Sequence, residues 1–139
     1  MKISNDKFKI DDKSILNYYE IKSNKPKLLL LHAQGTNSLS FMSVINKLSK
    51  YFHIYLVDYY GHGKSSFNRE KYNLIDIGND IIKFIEEVIK DNVSVLGHSS
   101  GGLIASYIAS NCELCSGLIL EDPPFFASVG DRRFNTYNL

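Results

Sequence analysis

The segment VSVLGHSSGGLIASYIA, residues 93–109, changes character twice within seventeen positions. Val93 to Leu96 is a short, apolar and partly β-branched run, the pattern of a strand buried in a parallel sheet. Gly97-His98-Ser99-Ser100-Gly101 follows at once, with Gly102 behind it. Leu103, Ile104, Tyr107 and Ile108 then recur at helical spacing, so the segment predicts strand, abrupt turn and helix. Gly97 and Gly101 leave room in a turn too tight for a Cβ, and Ser99 stands at its apex. The same turn places Ser99 beside a helix N-terminus, where unpaired N–H groups favour developing negative charge.

A G-x-S-x-G sequence in a strand–turn–helix setting is a nucleophile elbow. With motif and context in agreement, the chain resembles the α/β-hydrolase family. The competing reading is a glycine- and serine-rich connection without chemistry. The resemblance implies that Ser99 is the nucleophile. It also assigns a role to the loop His32-Ala33-Gln34-Gly35-Thr36-Asn37-Ser38, which follows the apolar run Lys27 to His32. Open α/β sheets place ligands at such strand ends. In the family this loop usually begins His-Gly, and the next residue gives a backbone N–H to the oxyanion hole. Carried over, Gln34 and Ser100 supply the two N–H groups, the electrostatic contribution acyl transfer needs. Ala33 stands where the family has Gly and tolerates positive φ poorly, so a different loop path is a specific concern. His32 reads as a hydrogen-bonded structural residue.

Working outward, the chain predicts alternating β and α elements, the signature of a doubly wound parallel sheet. Lys7–Ile10 and Ile15–Ile21 have β character around Asp11-Asp12-Lys13, an antiparallel hairpin. Ser40 is a candidate cap for a helix whose Phe41, Val44, Ile45 and Leu48 share one face. Phe52–Val57 is the next strand, and Asn73 caps an amphipathic helix reaching Lys90, with Leu74, Ile77, Ile81, Ile85 and Val88 inward. Ser116–Leu120 reads as another short buried strand. Between them, Gly63-Lys64-Ser65 imitates a phosphate loop, but the Walker pattern requires glycine at position 58, where Asp58 stands. A dinucleotide motif fails as well, because Ser66 replaces its last glycine. Asp58, Gly61, Gly63 and Ser65 instead match a D-x-x-G-x-G-x-S segment common in the family, which implies a structural turn; Asp58, His62 and Lys64 read as non-catalytic.

Composition narrows the function classes. With 139 residues, 16 Lys+Arg against 15 Asp+Glu and 44% hydrophobic residues, the chain has ordinary globular composition. It has no basic face for nucleic acid. The longest aliphatic run, Leu28 to Leu31, is far too short to span a bilayer, and MKISNDKFKIDD lacks the apolar core of a signal peptide. A cytoplasmic location is the expectation. Cys112 and Cys115 form C-x-x-C at the far end of the helix after Ser99, where the dipole has the wrong sign to activate a thiol. No further metal ligands are spaced to complete a zinc site. Two reduced thiols, no cofactor and no metal are expected.

One component is missing. A serine hydroxyl needs a general base, and the family's triad runs Ser, Asp/Glu, His along the chain. The histidines are His32, His53, His62 and His98, none after Ser99. Asp122, ending the strand after the nucleophile strand, is a candidate triad acid. The resemblance thus implies an α/β-hydrolase-type, mostly parallel sheet with an N-terminal antiparallel hairpin, cut off before the lid and last strands. Residues 1–139 form a single, incomplete domain on this reading. Its expected chemistry is attack by Ser99 on an ester-type or related acyl bond of a small molecule. The alternative is a non-catalytic hydrolase remnant or partner-binding pseudo-enzyme. An uncovered sheet edge would favour self-association.

Overall fold

The computed structural model describes residues 1–125. Strands β1 (Ser4–Lys9) and β2 (Ile15–Ile21) form the expected antiparallel hairpin, with Phe8 opposite Leu16. Strand β3 (Lys27–Leu31) leads through a 3₁₀ turn (Ser38–Phe41) into α1 (Met42–Leu48) and then β4 (His53–Val57). Helix α2 (Leu74–Phe84) runs on as a π-helical turn (Ile85–Ile89) before β5 (Val93–His98), α3 (Ser100–Asn111) and β6 (Cys115–Glu121). The six strands lie in the order β1-β2-β4-β3-β5-β6. β4, β3, β5 and β6 are mutually parallel, and β2 joins β4 antiparallel.

The leucines of β3 show why the sheet is covered on both faces. Leu28 and Leu30 point to one side, where Phe41 and Ile45 from the α1 region seal them with Ile54 and Leu56. Leu29 and Leu31 point to the other, against Ile81 and Phe84 of α2 and Ile104 and Ile108 of α3. A strand buried on both faces has no polar positions to spare, hence the unbroken Leu run. From β3 the chain moves first toward β4 and later returns to lay β5 on the opposite flank. The strand order therefore reverses at β3, and the crevice outside the carboxyl ends of β3 and β5 is the expected ligand position in such a sheet.

Several sequence expectations need correction. Ser40 does not cap the first helix: the 3₁₀ turn leading into α1 is capped by Asn37, whose side chain accepts the Leu39 N–H at 3.0 Å, and α1 itself starts after Phe41 without a side-chain cap. Val44 consequently faces solvent, while Phe41 and Ile45 are buried. In β2, Leu16 and Asn17 are fully buried and Ile21 nearly so. β6 is not a buried strand. Among the described residues it forms the sheet edge, with Leu118, Ile119 and Leu120 at 41%, 45% and 37% exposure. An apolar run reads alike in a central and an edge strand; the difference lies in its neighbours. Asn73 caps α2 as expected, accepting the Asp76 N–H at 2.8 Å. Among the described residues, no helix is long and apolar enough to cross a membrane.

Candidate active site

The turn from β5 into α3 is a tight one. Ser99 has φ 54° and ψ −121°, a left-handed conformation that a non-glycine residue adopts only when its surroundings enforce it. The Ser99 N–H donates to the Glu121 carbonyl at 2.8 Å, and the Ser99 carbonyl accepts the Gly102 N–H at 2.8 Å. The two flanking glycines are obligatory on steric grounds. A Cβ on Gly97 would lie 2.2 Å from the Gly101 carbonyl oxygen, and one on Gly101 would lie 2.4 Å from the Leu31 carbonyl oxygen. With both side chains absent, β5 and α3 approach closely enough to raise Ser99 on a sharp bend between them. Ser99 itself is half-buried.

The loop after β3 lies against this elbow. The Gln34 N–H donates to the Ser100 Oγ at 2.6 Å, joining residues from the two strand ends that flank the switch point. Ala33 does not take up positive φ; Gly35 does, at 77°. The expected conflict at Ala33 is therefore absent, because the left-handed residue of the turn comes two positions later. His32 is fully buried beneath the loop, stacked on Tyr59 at 4.0 Å between ring centroids. Its Nδ1–H donates to the Ala33 carbonyl at 2.8 Å, and its Nε2 accepts the Tyr59 N–H at 3.3 Å. Burial lowers the His32 pKa to about 4, so the ring is neutral at physiological pH. The Tyr59 hydroxyl donates to the His32 carbonyl.

The Asp58–Ser66 turn completes the surround. Asp58 accepts the Ser38 N–H at 2.8 Å, the Lys64 N–H at 3.0 Å and the Asn17 side-chain amide at 3.0 Å. Burial acts to raise its pKa, but these hydrogen bonds outweigh burial and hold the carboxyl below its ordinary value. Asp58 is thus a structural clamp between the loop after β3 and the glycine turn. His62 accepts the Gly35 N–H through Nε2 at 3.2 Å and faces the Tyr60 carbonyl through Nδ1 at 3.2 Å. A little farther along, Arg69 forms a bidentate pair with Asp80 of α2, at 2.6 and 2.9 Å, and lies over the Tyr60 ring. Nothing in the sequence pattern singled out this pair, since residues eleven apart across a loop follow no period. It fastens the segment carrying Tyr72 to α2.

These elements enclose a cavity of about 110 Å³ lined by Gln34, Tyr59, His62, Tyr72, Asn73, Leu74, Ile77, Ser100 and Ile104. Asp122 is exposed at the end of β6, with φ 49°. The structure brings Ser99, Ser100 and Gln34 together, and Asp122 follows Glu121, whose carbonyl holds the Ser99 amide. Cys112 and Cys115 are free thiols at the distant end of α3. Among the described residues, no group of three or more His, Cys, Asp or Glu side chains is arranged to hold a metal ion.

Fold and elbow together are those of the α/β-hydrolase fold. Residues 26–135 match the alpha/beta hydrolase fold family, and the chain belongs to it. It is 34% identical over 109 residues to a pimeloyl-[acyl-carrier protein] methyl ester esterase of Photorhabdus laumondii, covering 75% of this chain and 39% of that one. It is 31% identical over 113 residues to a human serine hydrolase-like protein, covering 79% and 56%. Among solved structures, the thioesterase domain from the curacin biosynthetic pathway superposes with a TM-score of 0.82 at 22% identity, covering 96% of this chain and 49% of that one. The chain spans between 27% and 56% of the length of such curated relatives.

Proposed function

We propose that the chain carries the nucleophile and oxyanion site of a serine hydrolase acting on an ester-type or related acyl bond of a small molecule. The observation that carries this reading is the left-handed backbone of Ser99 at a glycine-flanked strand–helix bend. Such strain persists where the surrounding structure over-determines it, and it clusters at active sites. Ser99 Oγ attacks the acyl carbonyl, and the oxyanion that forms lies against the backbone N–H groups of Gln34 and Ser100. The acyl group enters the cavity between Tyr59, Leu74, Ile77 and Ile104. The methyl ester esterase among the relatives fits the same reaction class.

The general base has to come from outside this set of histidines. His32, His53 and His62 each have both ring nitrogens engaged within the fold, and His98 lies on the strand side of the elbow. Asp122 serves as triad acid only alongside such a base. The second reading is a non-catalytic member of the family. The two separate on chemical rescue. Free imidazole substitutes for the missing base, and a fluorophosphonate then labels the parent chain faster as imidazole is raised. Ser99→Ala stays unlabelled. Equal labelling of parent and variant rules out Ser99 as the nucleophile, and no labelling of either at any imidazole concentration favours the non-catalytic reading.

A further inference from the structure

The loop after β3 and the glycine turn after β4 meet at one side chain, His62. The Ala33 carbonyl accepts the Thr36 N–H at 3.2 Å, closing a four-residue turn with Gln34 and Gly35 at its centre. φ is positive at Gly35, 77°, and not at Gln34. A turn with its left-handed residue in the third position is type II. Type I differs from it chiefly by a half-rotation of the central peptide, here the one joining Gln34 to Gly35. That rotation exchanges the directions of the Gly35 N–H and the Gln34 carbonyl, which point oppositely across a trans peptide.

His62 meets this peptide in one of its two orientations. The Gly35 N–H donates to His62 Nε2 at 3.2 Å, and the Tyr60 carbonyl faces Nδ1 at 3.2 Å. Both partners are backbone groups with fixed roles, since an amide N–H only donates and a carbonyl only accepts. Together they select the neutral ring with its proton on Nδ1. In the type I orientation the Gln34 carbonyl would face the Nε2 lone pair, two acceptors with no hydrogen between them. A Cβ on Gly35 would meet nothing within 4 Å, so a side chain there probes backbone conformation without a clash.

We propose that His62 is a positioning residue for the loop after β3, its Nε2 lone pair keeping the Gln34–Gly35 peptide in the type II orientation. The proposal rests on the oxyanion-site reading above, in which the Gln34 N–H is one of two donors. Gln34 stands between two peptides, the one ahead bearing its own N–H and the one behind held by His62. With the second peptide fixed, the residue does not pivot between turn forms and its donor stays aimed. In the other orientation the Gln34 carbonyl replaces the Gly35 N–H on the side of His62. The negative end of a peptide dipole then stands where the positive end stood, beside a donor meant for an anion. This role involves no proton transfer, in keeping with a ring whose two nitrogens are both engaged.

Two readouts on the full chain test it. In ¹⁵N-labelled protein, a scalar coupling across the N–H···N bond is expected between the Gly35 amide nitrogen and His62 Nε2, with ring shifts of the Nδ1–H tautomer. Fluorophosphonate labelling of Ser99 in imidazole reads the consequence. His62→Leu removes the acceptor and Gly35→Ala disfavours the left-handed φ. Each slows labelling by roughly two- to tenfold, the scale of one neutral hydrogen bond. His62→Gln returns an acceptor of similar reach and labels like the parent. The double variant is no slower than the slower single one, because both changes release the same peptide. Should His62→Leu fail to fold, the coupling in the parent and the rate of Gly35→Ala decide. A missing coupling, parent-like labelling of His62→Leu or Gly35→Ala, or slow labelling of His62→Gln overturns the proposal and leaves the oxyanion site standing. Rates that multiply in the double variant overturn it too. No labelling of Ser99 in any of these chains overturns the oxyanion-site reading, and the positioning role with it.

Discussion

His32 is sealed from solvent, with one ring nitrogen donating to a carbonyl and the other accepting an amide. A proton added to Nε2 would face the Tyr59 N–H and break that bond, which is the physical sense of its lowered pKa. The unfolded chain takes up this proton near 6.5 and the folded chain only near 4. Between those values the unfolded state binds more protons, so acid favours unfolding. Stability from this source is complete above about pH 6.5 and declines to about pH 4, by about 3 kcal/mol in total. Urea titrations across that range are expected to show the decline in the parent and a shallower one in His32→Gln. A parallel decline in both would mean that His32 is not the group responsible. At this scale the sequence showed the residues around Ser99 clearly, because the glycines bracketing it follow from sterics local to the bend. The Gln34–Ser100 and Arg69–Asp80 contacts were not visible, since each needs loops to meet in space. Ala33 was misjudged because the left-handed position falls on Gly35, a choice made by the turn as a whole.

Among the elements, α2 shows how a sequence period can hide an irregularity. Leu74, Ile81 and Ile85 are buried as the helical spacing requires, with Ile77 and Val88 packed at the rim. The last turn nevertheless widens to a π-helix over Ile85–Ile89 and ends at Lys90 in the left-handed region, φ 54°. The Lys90 N–H closes the end by donating to the Ile85 carbonyl at 2.8 Å. Glycine is the favoured residue in that conformation. Lys90→Gly is therefore expected to stabilise the fold by about 0.5–1 kcal/mol, the left-handed cost of lysine less the extra chain entropy of glycine. Thermal unfolding should shift upward by a few degrees. An unchanged or lower midpoint would show that the left-handed turn carries no strain at this site.

For the molecule as a whole, the two sheet edges differ. β1 presents Asp6, Lys7 and Lys9 to solvent, the charged pattern that discourages edge pairing. β6 presents Leu118, Ile119 and Leu120 with no charge until Glu121. An exposed, apolar edge strand is a template for another strand, and we expect self-association through it in solution. Sedimentation velocity at rising concentration should show larger species for the parent and fewer for Ile119→Lys, with the fold retained by circular dichroism. Undiminished association of the variant would place the contact elsewhere. The overall sheet was legible in the sequence because alternating strand and helix periods fix a doubly wound arrangement. The exposure of its last strand was not, because burial there depends on what lies beside it.

We propose that Ser99 is a nucleophile held in place by its fold. It is tested most directly by locating the phosphonyl group after fluorophosphonate treatment in imidazole. Peptide mapping by mass spectrometry is expected to place a single adduct on Ser99, growing with imidazole and absent from Ser99→Ala. An adduct distributed over other serines or tyrosines, equal in parent and variant, would contradict the claim.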